Sequence, residues 1–139
     1  MSFPKLFAFY GTLRKDQGNY NWALKHKSIY LKTIQVKGYD MFSLGGYPIC
    51  IPSERPDAEI TVDIFTDVDP RSIDSIDRME SGAGYDHEIL KIDNEDCLMY
   101  VGAPKHYTFE KLQLYYTQII GGDWVEFKNS PKKLSEAIC

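Results

Sequence analysis

The chain has 139 residues and a mass of 16.0 kDa, enough for one domain with an ordinary hydrophobic core and no need of disulfides or a structural metal. Its composition, 43% hydrophobic and 26% charged, excludes disorder and fibrous repeats, and no apolar run approaches the roughly 20 residues of a membrane helix. The net charge of −4 is uneven, with residues 1–38 carrying +6 and residues 39–139 carrying −10.

In chain order, Lys5 to Tyr10 reads as a short ring-rich strand stopped by Gly11. A polar loop from Lys15 to Tyr20 leads into a short helix near Asn21 to Lys25. Ser28 to Leu44 is β-branched and aromatic and interrupted by Gly38, which predicts two strands or one bent strand. Gly45-Gly46-Tyr47-Pro48 is a turn, and Tyr47 to Ile51 a brief extended piece. Ala58 to Val68 alternates, with Ile60, Val62 and Ile64 on one face and Glu59, Thr61 and Asp63 on the other, the pattern of a half-buried strand.

Asp69-Pro70 supplies an N-cap and a first-turn proline for a helix over Pro70 to Met79, with Ile73, Ile76 and Met79 on its apolar face and Gly82 and Gly84 closing it. Asp86 to Ile92 and Cys97 to Gly102 form a hairpin across Asp93-Asn94-Glu95-Asp96. Residues 107–120 fit either a helix or a strand. Ser130-Pro131 opens a last short helix. Strands outnumber helices and follow one another directly, which predicts an α+β fold, a single domain over 1–139 with its core at about 5–127.

Cys50, Cys97 and Cys139 are odd in number and contain no C-x-x-C, and the N-terminus lacks the pattern of a signal peptide, so a reducing cytoplasm is the expected location. His87, Cys97 and His106 have no metal-ligand spacing, and no metal is expected. The basic lysines lie on separate elements of an acidic chain, so neither nucleic acid nor membrane is an expected partner; oligomeric state is not legible.

Two features bear on chemistry. In Tyr10-Gly11-Thr12-Leu13-Arg14, a glycine directly after a buried strand lets backbone N–H groups turn outward into an anion-binding nest. The plainer reading is a strand end with a solvated Arg14, and on local features that reading is favoured. The second feature is Glu80, where the mid-chain helix gives way to Ser81-Gly82-Ala83-Gly84-Tyr85. A carboxylate desolvated there by neighbouring rings suits general acid–base work, whereas alone it is one surface acid among twenty.

Taken together they say more. Tyr10-Gly11-Thr12-Leu13-Arg14, Gly45-Gly46-Tyr47-Pro48, Asp77-Arg78-Met79-Glu80 with Tyr85, Met99-Tyr100-Val101 and Gly122-Asp123-Trp124 occur in one order at compatible spacings. Over about residues 5–127 this string resembles the gamma-glutamylcyclotransferase-like family, in particular its small bacterial and plant-type members. It departs from them at position 87, where many members carry an arginine and this chain has His87.

The resemblance implies a small mixed β-barrel-like α+β fold with a pocket at the end of the first strand. It implies intramolecular aminolysis of a gamma-glutamyl amide or isopeptide, with a gamma-glutamylamine as one candidate, giving 5-oxoproline and a free amine or amino acid without a cofactor. Glu80 would carry the proton, and Tyr10, Gly11, Thr12 and Leu13 would hold the substrate. The alternative is a non-catalytic binding or regulatory member of the same fold. Tyr47, Tyr85, Tyr116 and Trp124 are candidate pocket walls, though plain core aromatic is the favoured reading of each.

Overall fold

The computed structural model describes residues 3–129, so the helix expected after Ser130-Pro131 lies outside the described residues. Among the described residues, eight strands form two sheets. The larger has the order β2-β5-β1-β7-β6, from β1 (Leu6–Phe9), β2 (Ile29–Lys37), β5 (Glu59–Thr66), β6 (Tyr85–Ile92) and β7 (Glu95–Gly102). The smaller has the order β4-β3-β8, from β3 (Tyr39–Ser43), β4 (Pro48–Pro52) and β8 (Thr117–Gln118). This is the mixed α+β architecture expected, its barrel-like character arising from β3 and β4 lying against β5 and β7.

At the centre, β1 pairs antiparallel with β5 and parallel with β7, and all four of its residues are buried. Such two-sided burial explains why it reads as an unbroken apolar run. The bend at Gly38 separates β2 from β3 and has φ +95°, a conformation that favours glycine. Asp93 and Asn94, both at positive φ, make the tight turn between β6 and β7.

Two expectations need correction. Strand β5 is buried on both faces, because Thr61 and Asp63 are as enclosed as Ile60, Val62 and Ile64. Alternation marked its polar side but not its cover: the loop after β1 lies over Asp63, and Tyr20 and Tyr30 pack on Phe65. The mid-chain helix, α2 (Pro70–Gly82), runs three residues beyond Met79. Its start is as expected, with the Asp69 carboxylate accepting from the Arg71 N–H at 2.8 Å. Gly82 is still helical, and it is Gly84, at φ +87°, that turns the chain into β6. Glu80 therefore sits in the last turn of the helix, not after it.

The ambiguous stretch is split between α3 (Phe109–Tyr115) and β8. Two further helices, α1 (Tyr20–Ala23) and α4 (Trp124–Asn129), complete the described fold, and among the described residues no helix is long and apolar enough to cross a membrane.

Candidate active site

Where β1 ends, the chain makes a tight turn in which the Arg14 N–H donates to the Gly11 carbonyl at 3.0 Å. The N–H groups of Gly11, Thr12 and Leu13 have no partner among the described residues. Buried or half-buried backbone donors are ordinarily paired, so three consecutive free ones are a ready set of donors for an anion. Gly11 is required by a close approach, since a Cβ there would lie 2.8 Å from the ring of Pro48.

Arg14 does not extend into solvent. It is buried, with Nε 3.3 Å from Asp63 Oδ2 and a terminal nitrogen 2.8 Å from Asp123 Oδ1. Asp63 also accepts from the Lys15 N–H at 2.9 Å and the Thr33 hydroxyl at 2.6 Å. Asp123 in turn caps α4 by accepting from the Glu126 N–H at 3.1 Å. The loop is thus anchored by the Arg14 side chain.

Beside the loop lies a cavity of about 340 Å³. Its lining includes Tyr10, Gly11, Thr12, Leu13 and Glu80, so the five residues singled out in the sequence meet around one space. Tyr47 and Tyr85 line it as well. Tyr116 and Trp124 do not: the first is 45% exposed, and the second is buried against Phe127.

Burial pushes the Glu80 carboxyl up to about 7, with no cation or donor offsetting the loss of water. Around it, Tyr10, Tyr85 and Tyr100 are all pushed well above the ordinary tyrosine value, chiefly by burial and secondarily by nearby charges including that of Glu80. The hydroxyls of Tyr10 and Tyr85 also tie the two sheets together. Tyr85 donates to the Pro48 carbonyl at 2.7 Å, and the Cys50 N–H donates to the Tyr10 oxygen at 3.2 Å. Both bonds satisfy backbone groups on the outer edge of β4, which no strand covers.

Asn19 is a site residue that the sequence reading missed. It occupies the N-cap position of α1 but makes no capping bond. Its amide instead donates to Thr12 Oγ1 at 2.8 Å, its N–H donates to the Thr12 carbonyl at 2.9 Å, and its Oδ1 accepts from the Trp22 indole at 2.7 Å. The only local signal was a polar residue ahead of a short helix. Tyr100, on β7, was read simply as part of the family string. His87, Cys97 and His106 do not gather, and no cluster of three or more metal-ligating side chains occurs among the described residues.

The family model for gamma-glutamyl cyclotransferase, AIG2-like, matches residues 7–126. The chain belongs to this family. Solved structures share the fold. An uncharacterised protein from Pyrococcus horikoshii superposes with a TM-score of 0.70 at 21% identity, over 92% of this chain and 96% of its own. An AIG2-like protein from Mus musculus gives 0.61 at 20% identity, over 83% and 85%. In Kluyveromyces lactis allophanate hydrolase the match takes up 21% of that chain and 91% of this one, with a TM-score of 0.69 at 14% identity. No curated protein matches the sequence.

Proposed function

We propose that the protein is a gamma-glutamyl cyclotransferase, converting a gamma-glutamyl amide or isopeptide into 5-oxoproline and a free amine or amino acid. The observation that carries this reading is one carboxyl, Glu80, poised near neutrality in a cavity also lined by a loop with three N–H groups unpaired among the described residues. Membership of the family supports the same chemistry.

The residues divide the work simply. The N–H groups of Gly11, Thr12 and Leu13 hold the substrate's α-carboxylate or the oxyanion that develops on the γ-carbonyl. The substrate's α-amino nitrogen attacks the carbonyl carbon of its own γ-glutamyl amide, forming the ring C–N bond, and Glu80 takes the proton that this nitrogen sheds. The amide C–N bond then breaks, and Glu80 returns the proton to the departing nitrogen. A carboxyl balanced near pH 7 is suited to both transfers. Because the nucleophile and electrophile belong to one molecule, holding the glutamyl chain folded supplies much of the acceleration. The cavity is at the lower end of the size range of small-molecule sites, as a glutamyl group requires.

Cys50 and Cys97 are free and buried, consistent with a cytoplasmic protein, the compartment we propose. The test is a panel of gamma-glutamyl amines, amino acids and isopeptides incubated with the purified protein, with both products quantified by mass spectrometry. Equimolar 5-oxoproline and amine are expected from at least one compound. A ligand that raises the melting temperature without product formation would select the non-catalytic alternative.

A further inference from the structure

The three tyrosines around Glu80 differ in where their protons go. Tyr85 commits its proton to the Pro48 carbonyl, and Tyr100 donates to Asp77 Oδ1 at 2.9 Å. Asp77 lies three residues before Glu80 on α2, so the two carboxylates project from the same side of the helix. His87, directly opposite Tyr100 across β6 and β7, places its Nε2 on the same Asp77 oxygen and packs edge-on against the Tyr100 ring at 5.3 Å. The Asp77 carboxylate is therefore held from two sides.

A carboxylate accepts hydrogen bonds and donates none, so the Tyr100 O–H stays pointed at Asp77 and the lone pairs of the hydroxyl oxygen are left to accept. An ammonium group donates and cannot accept. Among the described residues, no lysine or arginine lines the cavity to which Tyr100 belongs.

We propose that the Tyr100 oxygen accepts a hydrogen bond from the substrate's α-ammonium group, and that Asp77 is the positioning residue that turns the Tyr100 proton away from it. This rests on reading the cavity as a gamma-glutamyl site. It places the ammonium beside Glu80, the group that receives its proton, and it makes the cavity discriminate against ligands that lack the amine. His87 serves the same end by fixing Asp77.

The test compares two ligands by isothermal titration calorimetry: a gamma-glutamyl amide and its des-amino counterpart, the corresponding glutaric acid monoamide. The host is the Glu80→Gln chain, which leaves the first ligand intact. Tyr100→Phe keeps the buried ring and removes the oxygen. It is expected to weaken binding of the amine-bearing ligand about tenfold, the effect of losing one charge-assisted hydrogen bond, and to leave the des-amino ligand unchanged.

Asp77→Asn shifts the same ligand in the same direction by a smaller factor, because an amide can donate to the tyrosine oxygen and occupy it. The double variant binds no more weakly than Tyr100→Phe alone. Equal weakening of both ligands, or additive losses in the double variant, would assign Tyr100 and Asp77 a structural role and overturn the proposal. So would undiminished binding of the amine-bearing ligand to Tyr100→Phe. A wild-type protein that neither binds nor cyclises any gamma-glutamyl compound would overturn the functional reading and this proposal together. Wild-type turnover with unaltered discrimination in the variants would overturn this proposal alone.

Discussion

Glu80 owes its acidity to where α2 ends, with its carboxyl among tyrosine rings and no cation beside it. Its value of about 7 in the fold, against 4.5 for an ordinary glutamate, has consequences for stability and for rate. The folded protein binds the extra proton between those two values, so this residue's contribution to stability is fully present below pH 4.5. It is lost as pH rises through about 7, where the fold must hold an ionised carboxylate out of water. Glu80→Gln is therefore expected to leave stability unchanged near pH 4 and to raise it above pH 7 by on the order of 1–3 kcal/mol, read from urea unfolding at each pH. In kinetics the sign reverses. The ionised carboxylate is the form that accepts the substrate's proton, so kcat/KM should climb with pH along an acid limb centred near 7. Rates measured from pH 5 to 9 check this, and an acid limb near 4.5 would mean that Glu80 is solvated when it acts.

Among the elements, the loop after β1 depends on groups far from it in sequence. Arg14 reaches Asp63 on β5 and Asp123 before α4, and removing its guanidinium strands two carboxylates, one of them fully enclosed. Arg14→Met is expected to cost about 3–5 kcal/mol. Guanidinium unfolding measures that loss, and a cost below 1 kcal/mol would mean that the network is only loosely held. Gly122 is the second such point. Beyond the end of β1 its carbonyl accepts from the Thr61 N–H at 2.9 Å, continuing the hydrogen bonding along β5. Its φ is +67°, and a Cβ would lie 2.2 Å from the Glu59 carbonyl oxygen. Gly122→Ala should lower stability by more than about 2 kcal/mol, seen as a drop in melting temperature. The Gly-Asp-Trp string was readable in the sequence as a break after residues 107–120. Its service to Arg14 was not, because 109 residues separate Arg14 from Asp123 and no local pattern links them.

At the scale of the whole molecule, the site is a product of how the two sheets meet. Tyr10 leaves the larger sheet and Tyr85 opens β6 of that sheet, and both fasten to the outer edge of β4 in the smaller one. The cavity opens beside that seam. Strand and helix signals, which act over a few positions, placed the described elements except the split of residues 107–120 and α4, since the last helix was expected only after Ser130-Pro131. Tyr10 to Leu13 and Glu80 were legible as a pair only through the ordered string of motifs, since neither stands out alone. Asn19 and the Asp77–Tyr100 contact were not legible, because each depends on which surfaces the sheets bring face to face.

The central claim is that Glu80 carries the proton in a cyclisation held by the Gly11–Leu13 loop. It is tested most directly by the rate of 5-oxoproline formation in wild-type and Glu80→Gln proteins, side by side at pH 8 on one gamma-glutamyl compound. The expected result is a loss of about 10²–10⁴-fold in kcat for a variant that remains folded and still binds the compound. A Glu80→Gln protein that releases 5-oxoproline at the wild-type rate would contradict the account.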